Sequence, residues 1–421
     1  VRIWLFPTIV LTLIGALMAT MYLGYVVDPE KNLHDFPIAL VDLDVGDTLG
    51  SPPQWRDVGN EITEALRAGV PADKIDLRVI GIAQAERQLR SGELYGAIII
   101  AGDFTKRLGN LGTGSVVPGE IERPTITVRT NPRTGAFASA IMGRVSDRAL
   151  TEVNARIGEQ LLATVTSALG PDYALPGTTA VALRNPVEVI HTEFHPLPDG
   201  SGAGLSAFFF ALVLLLTGTL GAMIVHTMVD GALGFVPTEY GPWSPHVPPA
   251  RISRLRTLLL KWGVLVVAAH LVSAVLLVVA PMVGMPVAQP LPLFLYSAFA
   301  MIAVGVTGLS VLAALGSAGL LVNLIVFVIL GLPSSAGSVP IEATPRYFGV
   351  LASFEPLHQV YTAVRAILYF DGDLGSGLAR GFWMTLLGLT IGLVLGAVST
   401  SVYDRVGLHR HRSATGGAAR L

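Results

Sequence analysis

Few residues in this chain have the type and spacing to do chemistry. Asp42 and Asp44 close the run FPIALVDLD, and carboxylates at the carboxyl end of a strand can hold a cation or ligand in an α/β sheet. Asp-x-Asp is also ordinary turn and cap chemistry, the favoured reading here. His191 and His195 stand four apart, as metal ligands on a helix do. Pro196 and the strand-like Val187 to Ile190 argue against a helix there, and no metal is expected. A phosphate-binding loop needs a Gly-rich turn ending in Lys and Ser or Thr, and Lys31, Lys74, Lys106 and Lys261 all lie outside such a context. The chain is therefore expected to hydrolyse no ATP through a loop of that kind, to carry no catalytic set and to need no cofactor.

The elements that hold these residues are largely apolar. Of 421 residues, 52% are hydrophobic and 14% charged, and the mean hydropathy is +0.61, the balance of an integral membrane protein. Ile3 to Val27 carries no charge and at about 1.5 Å per residue reaches about 37 Å, enough to cross a bilayer. A cleaved signal peptide is the competing reading; the length of the run and the lack of a convincing small-x-small site in Ala16 to Tyr22 disfavour it. Further spans are expected at Leu205–Val229, Leu258–Ala280, Leu291–Leu312, Gly316–Leu332 and Gly381–Val402, six in all. Cysteine is absent, which excludes disulfides and thiolate metal sites. A net charge of −2 with no Lys/Arg block gives no footing for nucleic acid.

Between the first and second spans the period changes. Phe36–Asp44, Ile75–Gly81, Tyr95–Ala101, Thr125–Thr130 and Asn185–Phe194 read as strands, with helical stretches at Trp55–Ala68, Ala83–Ser91 and Asp103–Leu108. Such alternation predicts a largely parallel α/β sheet. Phe137–Leu169 is a long helical run whose apolar residues, from Ile141 to Leu169, recur at every fourth position. That ladder drifts around a straight helix, so the helix winds about its domain or breaks near Gly158.

The resulting fold class is an α-helical membrane bundle of six spans with an inserted extracytoplasmic α/β domain. Its parts are a first transmembrane helix at 1–27, the α/β domain at 28–204, a five-helix region at 205–403 and a basic cytoplasmic tail at 404–421. The 230–257 loop, ending in Arg251, Arg254 and Arg256, and the tail with Arg405, Arg410, Arg412 and Arg420 are cytoplasmic by the positive-inside rule. Both termini then lie inside, and the Pro-rich and amphipathic segment at 331–378 lies outside as a re-entrant element. The span interiors lack a mid-membrane carboxylate; their polar groups are His270, Asn323 and scattered Ser and Thr. Gly388, Gly392 and Gly396 form a stripe for close helix packing, within the bundle or between two copies.

This order of parts resembles the type-2 exporter class of ABC-transporter permeases, closest to the phage infection protein (YhgE/Pip) branch. The pieces that carry the resemblance are FPIALVDLD after the first span, LYGAIIIAGDFTKRL in the soluble domain, LGFVPTEYGPW before the third span and FEPLHQVYTAVRAILYFDGD before the last. The resemblance implies a permease acting as a homodimer or paired half-transporter in the lipid bilayer, energised by a separate ATP-binding subunit. It places ATPase coupling on the loop after the second span, with Glu239, Arg251, Arg254 and Arg256 as candidates. Topology setting and headgroup contact remain the other reading of those arginines. In that class an amphipathic helix precedes the first span, whereas only Val1 and Arg2 precede Ile3 here.

Uncharged span interiors suit an apolar or amphipathic substrate such as a lipid, an envelope precursor or a drug, moved outward across a bacterial plasma membrane. An external gate is expected from Glu355, Arg365 and Asp371, joined by salt bridges, with a merely structural helical pair as the alternative. Two other function classes stay open: a non-transporting envelope receptor, scaffold or secretion component presenting the α/β domain, and proton-coupled export resting on His270.

Overall fold

Backbone buried in lipid must satisfy every N–H and C=O within its own segment, so the long uncharged runs can only be helices, while the shorter β-branched runs can pair as a sheet. The computed structural model describes residues 2–50, 53–114, 122–169, 177–237, 241–243 and 247–408. Its packing separates two compact units, Val1–Val27 with Pro198–Gly337 and Tyr347–Leu421, and Asp28–Leu197 with Ser338–Arg346.

The second unit is α/β. Its elements are β1 (Phe36–Asp42), β2 (Asp47–Leu49), β3 (Gln54–Arg56), α1 (Val58–Gly69), β4 (Ile75–Val79), α2 (Ile82–Ser91), β5 (Gly96–Ile100), α3 (Phe104–Gly114), β6 (Thr125–Thr130), α4 (Ala136–Leu169), α5 (Gly177–Arg184) and β7 (Glu188–Glu193). The main sheet runs β4-β1-β5-β6-β7, parallel except where β5 meets β6. β5 is buried along its whole length, whereas β6 alternates between buried and half-buried positions, as an antiparallel strand with one wetter face can.

The expected helix from Trp55 starts later, at Val58, because Asp57 caps it by accepting from the Asn60 amide at 2.9 Å. Trp55 and Arg56 instead form β3, paired antiparallel with β2. α4 runs unbroken through Gly158. There the glycine serves close approach, since a Cβ would overlap the Arg184 carbonyl of α5. The buried positions Met142, Ser146, Leu150, Val153 and Ile157 step by four and three, following the drift that the every-fourth ladder implied.

Part of the segment expected to be external belongs to this unit. Glu342 accepts from the His34 amide at 2.8 Å through its carbonyl and from the Tyr95 hydroxyl at 2.6 Å through its carboxylate, so residues 338–346 pack with β1 and β5 rather than continuing the helical stretch that follows.

The first unit is helical: α6 (Arg2–Val26), α7 (Leu205–Ala232), α8 (Arg254–Met282), α9 (Pro290–Leu315), α10 (Ala318–Leu324), α11 (Gly331–Ser334), α12 (Pro356–Tyr369) and α13 (Ala379–Arg405). Among the described residues five helices are long and apolar enough to cross a membrane: Leu5–Val26, Leu205–Ala232, Arg254–Met282, Pro290–Leu315 and Leu374–Arg405. This is a multi-pass membrane protein. The expected fifth span is a shorter apolar run, Ala318–Ser334, interrupted by a π turn at Ile325–Ile329. α9 sits innermost, packed against α7, α8, α10 and α13. α12 is the amphipathic part of the 331–378 segment, and its Leu357, Val360, Tyr361, Val364 and Leu368 are buried.

Candidate functional site

Two of the buried charged residues of the helical unit, Asp230 and Lys261, meet where α7 ends and α8 begins. α7 continues three residues past the expected Val229 and so takes in Asp230, 2% exposed. The i, i+4 spacing puts His226 on the same face, with Nε2 3.4 Å from Asp230. Lys261, two turns into α8, reaches Asp230 with Nζ at 2.7 Å and lies 3.1 Å from His226 Nδ1. With its proton on Nε2, the imidazole donates to Asp230 and accepts from Lys261. The opposite charges of Asp230 and Lys261 are thus paired inside the bundle, with the His226 imidazole beside both.

The same end carries a second set of ties. Asp404 of α13 accepts from the amides of Arg254 at 2.9 Å and Leu255 at 3.1 Å, capping α8 where its positive end needs an anion. Arg254 donates to the Leu408 carbonyl at 2.6 Å and lies 5.4 Å from the Tyr403 ring centre, while Tyr403 donates to the Ala314 carbonyl at 2.8 Å. Arg254 is thus a fixed part of the joint between α8, α9 and α13. Arg251 and Arg256 are exposed. Glu239 lies outside the described residues.

The expected gate residues are not joined. Among the described residues no ion pair links Glu355, Arg365 and Asp371. Ten residues along a helix amount to about 15 Å of rise, which separates Glu355 from Arg365 beyond side-chain reach. Glu355 instead caps α12, accepting from the His358 amide at 2.9 Å, and its other oxygen is buried without a partner. Burial pushes its carboxyl up to about 7. His358 faces the Ser335 carbonyl at 3.1 Å, and burial holds its ring down at about 4. Arg365 rests over the Tyr361 and Phe370 rings, 5.5 and 5.6 Å from their centres, and Asp371 is exposed in the following turn.

A groove of about 480 Å³ opens between α6, α7 and α10, walled by residues such as Val10, Leu220, Met223 and Leu324, with Asn323 its one amide among the described lining residues. Asn323 donates to the Gly308 carbonyl at 3.1 Å. His270 is exposed on α8, with its Nδ1 2.8 Å from the Val266 carbonyl. In the glycine stripe, a Cβ on Gly396 would stand 2.6 Å from Ser310 and 2.8 Å from Leu258 and Trp262, and one on Gly392 would overlap Thr307; Gly388 faces open space.

In the α/β unit, Asp44 accepts from the amides of Gly59 and Thr105, both at 3.1 Å, and from the Thr105 hydroxyl. Asp42 accepts from the Asp44 amide at 3.0 Å, and burial raises its carboxyl above the ordinary value. The pair pins loops together, as turn and cap chemistry does. His191 pairs with Asp147 at 3.1 Å and His195 is exposed with a φ of 49°. Among the described residues no group of three His, Cys, Asp or Glu could hold a metal.

Ending the second span at Val229 put Asp230 in a loop and hid the cluster from the sequence reading. The signal was His226 and Asp230 at helical spacing beside a lysine early in the next apolar run.

Residues 8–382 match the family DUF3533, described as a protein family of unknown function, and the chain belongs to it. No curated protein matches the chain by sequence. Among solved structures, a crystal structure of a domain from Thermotoga maritima MSB8, described as belonging to an ABC type-2 transporter, aligns at 17% identity. The alignment covers 38% of this chain and 85% of that one with a TM-score of 0.24, a likeness too low to decide the fold.

Proposed function

We propose that this chain is the permease subunit of an ABC type-2 exporter, without an ATPase motif of its own, which moves an apolar or amphipathic substrate such as a lipid, envelope precursor or drug outward. The reading counts Ala318–Ser334 as a sixth span, with both termini cytoplasmic and the α/β unit extracytoplasmic. It takes the YhgE/Pip branch as nearest and a dimer or paired half-transporter as the working form. A separate ATP-binding subunit docks at the end that carries Arg251, Arg254, Arg256 and Asp404.

The observation that carries this reading is the distribution of charge in the helical unit. The groove beside α10 is apolar with one amide, which suits a hydrocarbon and serves an ion poorly, while Asp230, Lys261, Arg254 and Asp404 gather where α8 begins and α13 ends. A force applied to α8 from that end is transmitted to α7 through Lys261 and to α13 through Asp404.

The test is extraction in mild detergent followed by identification of bound ATPases and assay of ATP-driven transfer of a fluorescent lipid to the inner leaflet of inverted vesicles, the equivalent there of outward export. An ATPase should co-purify, and Arg254→Glu should lower export several-fold at normal protein level. If no ATPase is found and Arg254→Glu and Arg256→Glu leave function intact while deletion of residues 28–204 abolishes it, the receptor or scaffold reading replaces this one.

A further inference from the structure

The α/β unit contains a cleft of about 660 Å³, within the range of small-molecule sites, that the export reading does not use. Four elements wall it: the β2–β3 hairpin, the start of α1, α3 and α4. Leu49, Val58, Leu108, Ile157, Leu161 and Val165 supply apolar surface, and Gln54, Thr113, Gln160 and Thr164 supply uncharged hydrogen-bonding groups. Among the described lining residues only Arg56 bears a charge. Its charge is paired with Glu61, which accepts from its Nε, at 3.0 Å, and from its Nη2.

These features narrow the occupant. Protein interiors leave few voids larger than a water molecule, and an apolar recess of this size is stabilised by apolar atoms in preference to water. With Arg56 paired to Glu61, an anion would find no unpaired positive charge, and a cation would meet no carboxylate among the described lining residues. The lining instead matches a hydrocarbon chain joined to a neutral, hydroxyl-bearing head.

We propose that this cleft binds a single-chain neutral amphiphile, with the chain between α3 and α4 and the hydroxyls against Gln54, Gln160 and Thr164. The site is distinct from the groove in the helical unit, and its occupancy needs no ATP, so it stands or falls separately from the export reading.

The full chain in nanodiscs is irradiated with a monopalmitoyl glycerol carrying a diazirine in its chain, and the labelled peptides are mapped. Label is expected on the peptides spanning 108–113 and 157–169. Thr164→Trp and Ala168→Trp, at exposed helix positions that line the cleft, should lower it about tenfold while labelling of the span peptides and the melting profile stay unchanged. Unlabelled monopalmitoyl glycerol should compete better than palmitate. Equal labelling of these peptides in both variants overturns the site, and stronger competition by palmitate overturns the neutral head group.

Discussion

Asp230 and Glu355 are both 2% exposed acidic residues near helix ends in one unit, yet they are kept in place by different means. Lys261 and His226 stand 2.7 and 3.4 Å from the Asp230 carboxylate, which ties it to two helices. Glu355 has one amide donor and an orphaned oxygen, so burial holds its proton on up to about 7. The first cluster joins two helices through charge; the second only starts a helix and stays adjustable by pH. Coupling by rigid connection therefore belongs to the Asp230 end, while the α12 end carries a response to proton concentration.

The largest effect should come from breaking the first cluster. Lys261→Met leaves Asp230 buried without its cation and should lower stability in detergent by about 3–5 kcal/mol. Asp230→Asn together with Lys261→Met should recover much of that loss in thermal unfolding. A double variant as unstable as the sum of the single changes would show that the two side chains act independently.

The second cluster predicts opposed pH slopes. Glu355 has a raised folded pKa, so its contribution is full below about 4.5 and is lost as pH rises through about 7. His358 has a lowered one, so its contribution is full above about 6.5 and is lost as pH falls through about 4. Between about 4.5 and 6.5 the two slopes cancel. Glu355→Gln should remove one of them and leave a rise in stability of up to about 3 kcal/mol across that window, read as a rising melting temperature. A variant with no pH slope there would remove α12 as the proton-responsive end.

The smallest effect tests whether the packing near the first cluster is rigid. Gly396→Leu must displace Ser310, Leu258 or Trp262 and should cost about 1–3 kcal/mol, while Gly388→Leu meets open space and should cost almost nothing. Equal melting of both variants would mean that the joint of α8, α9 and α13 yields easily.

The membrane character of the chain and the position of each long span were legible because an uncharged run of this length has no other way to satisfy its backbone. The five strands of the main sheet were legible for a related reason, since YGAIIIA is too short for a span and too apolar for a surface, whereas β2 and β3 were not. Element edges were less so. The edge at Val229 hid Asp230 from the bundle, and Asp57, a capping side chain, moved the start of α1 past Trp55.

Sequence alone determined that the protein is helical in lipid with an α/β unit, since those follow from hydrophobic period and run length, both local properties. Tertiary structure decided which polar residues meet. Asp230 finds Lys261 across thirty-one positions of chain because α7 and α8 pack side by side, and Glu355 fails to meet Arg365 because one straight helix holds them apart. Pairing is set by distance in space, which spacing in sequence fixes only within a single helix or strand.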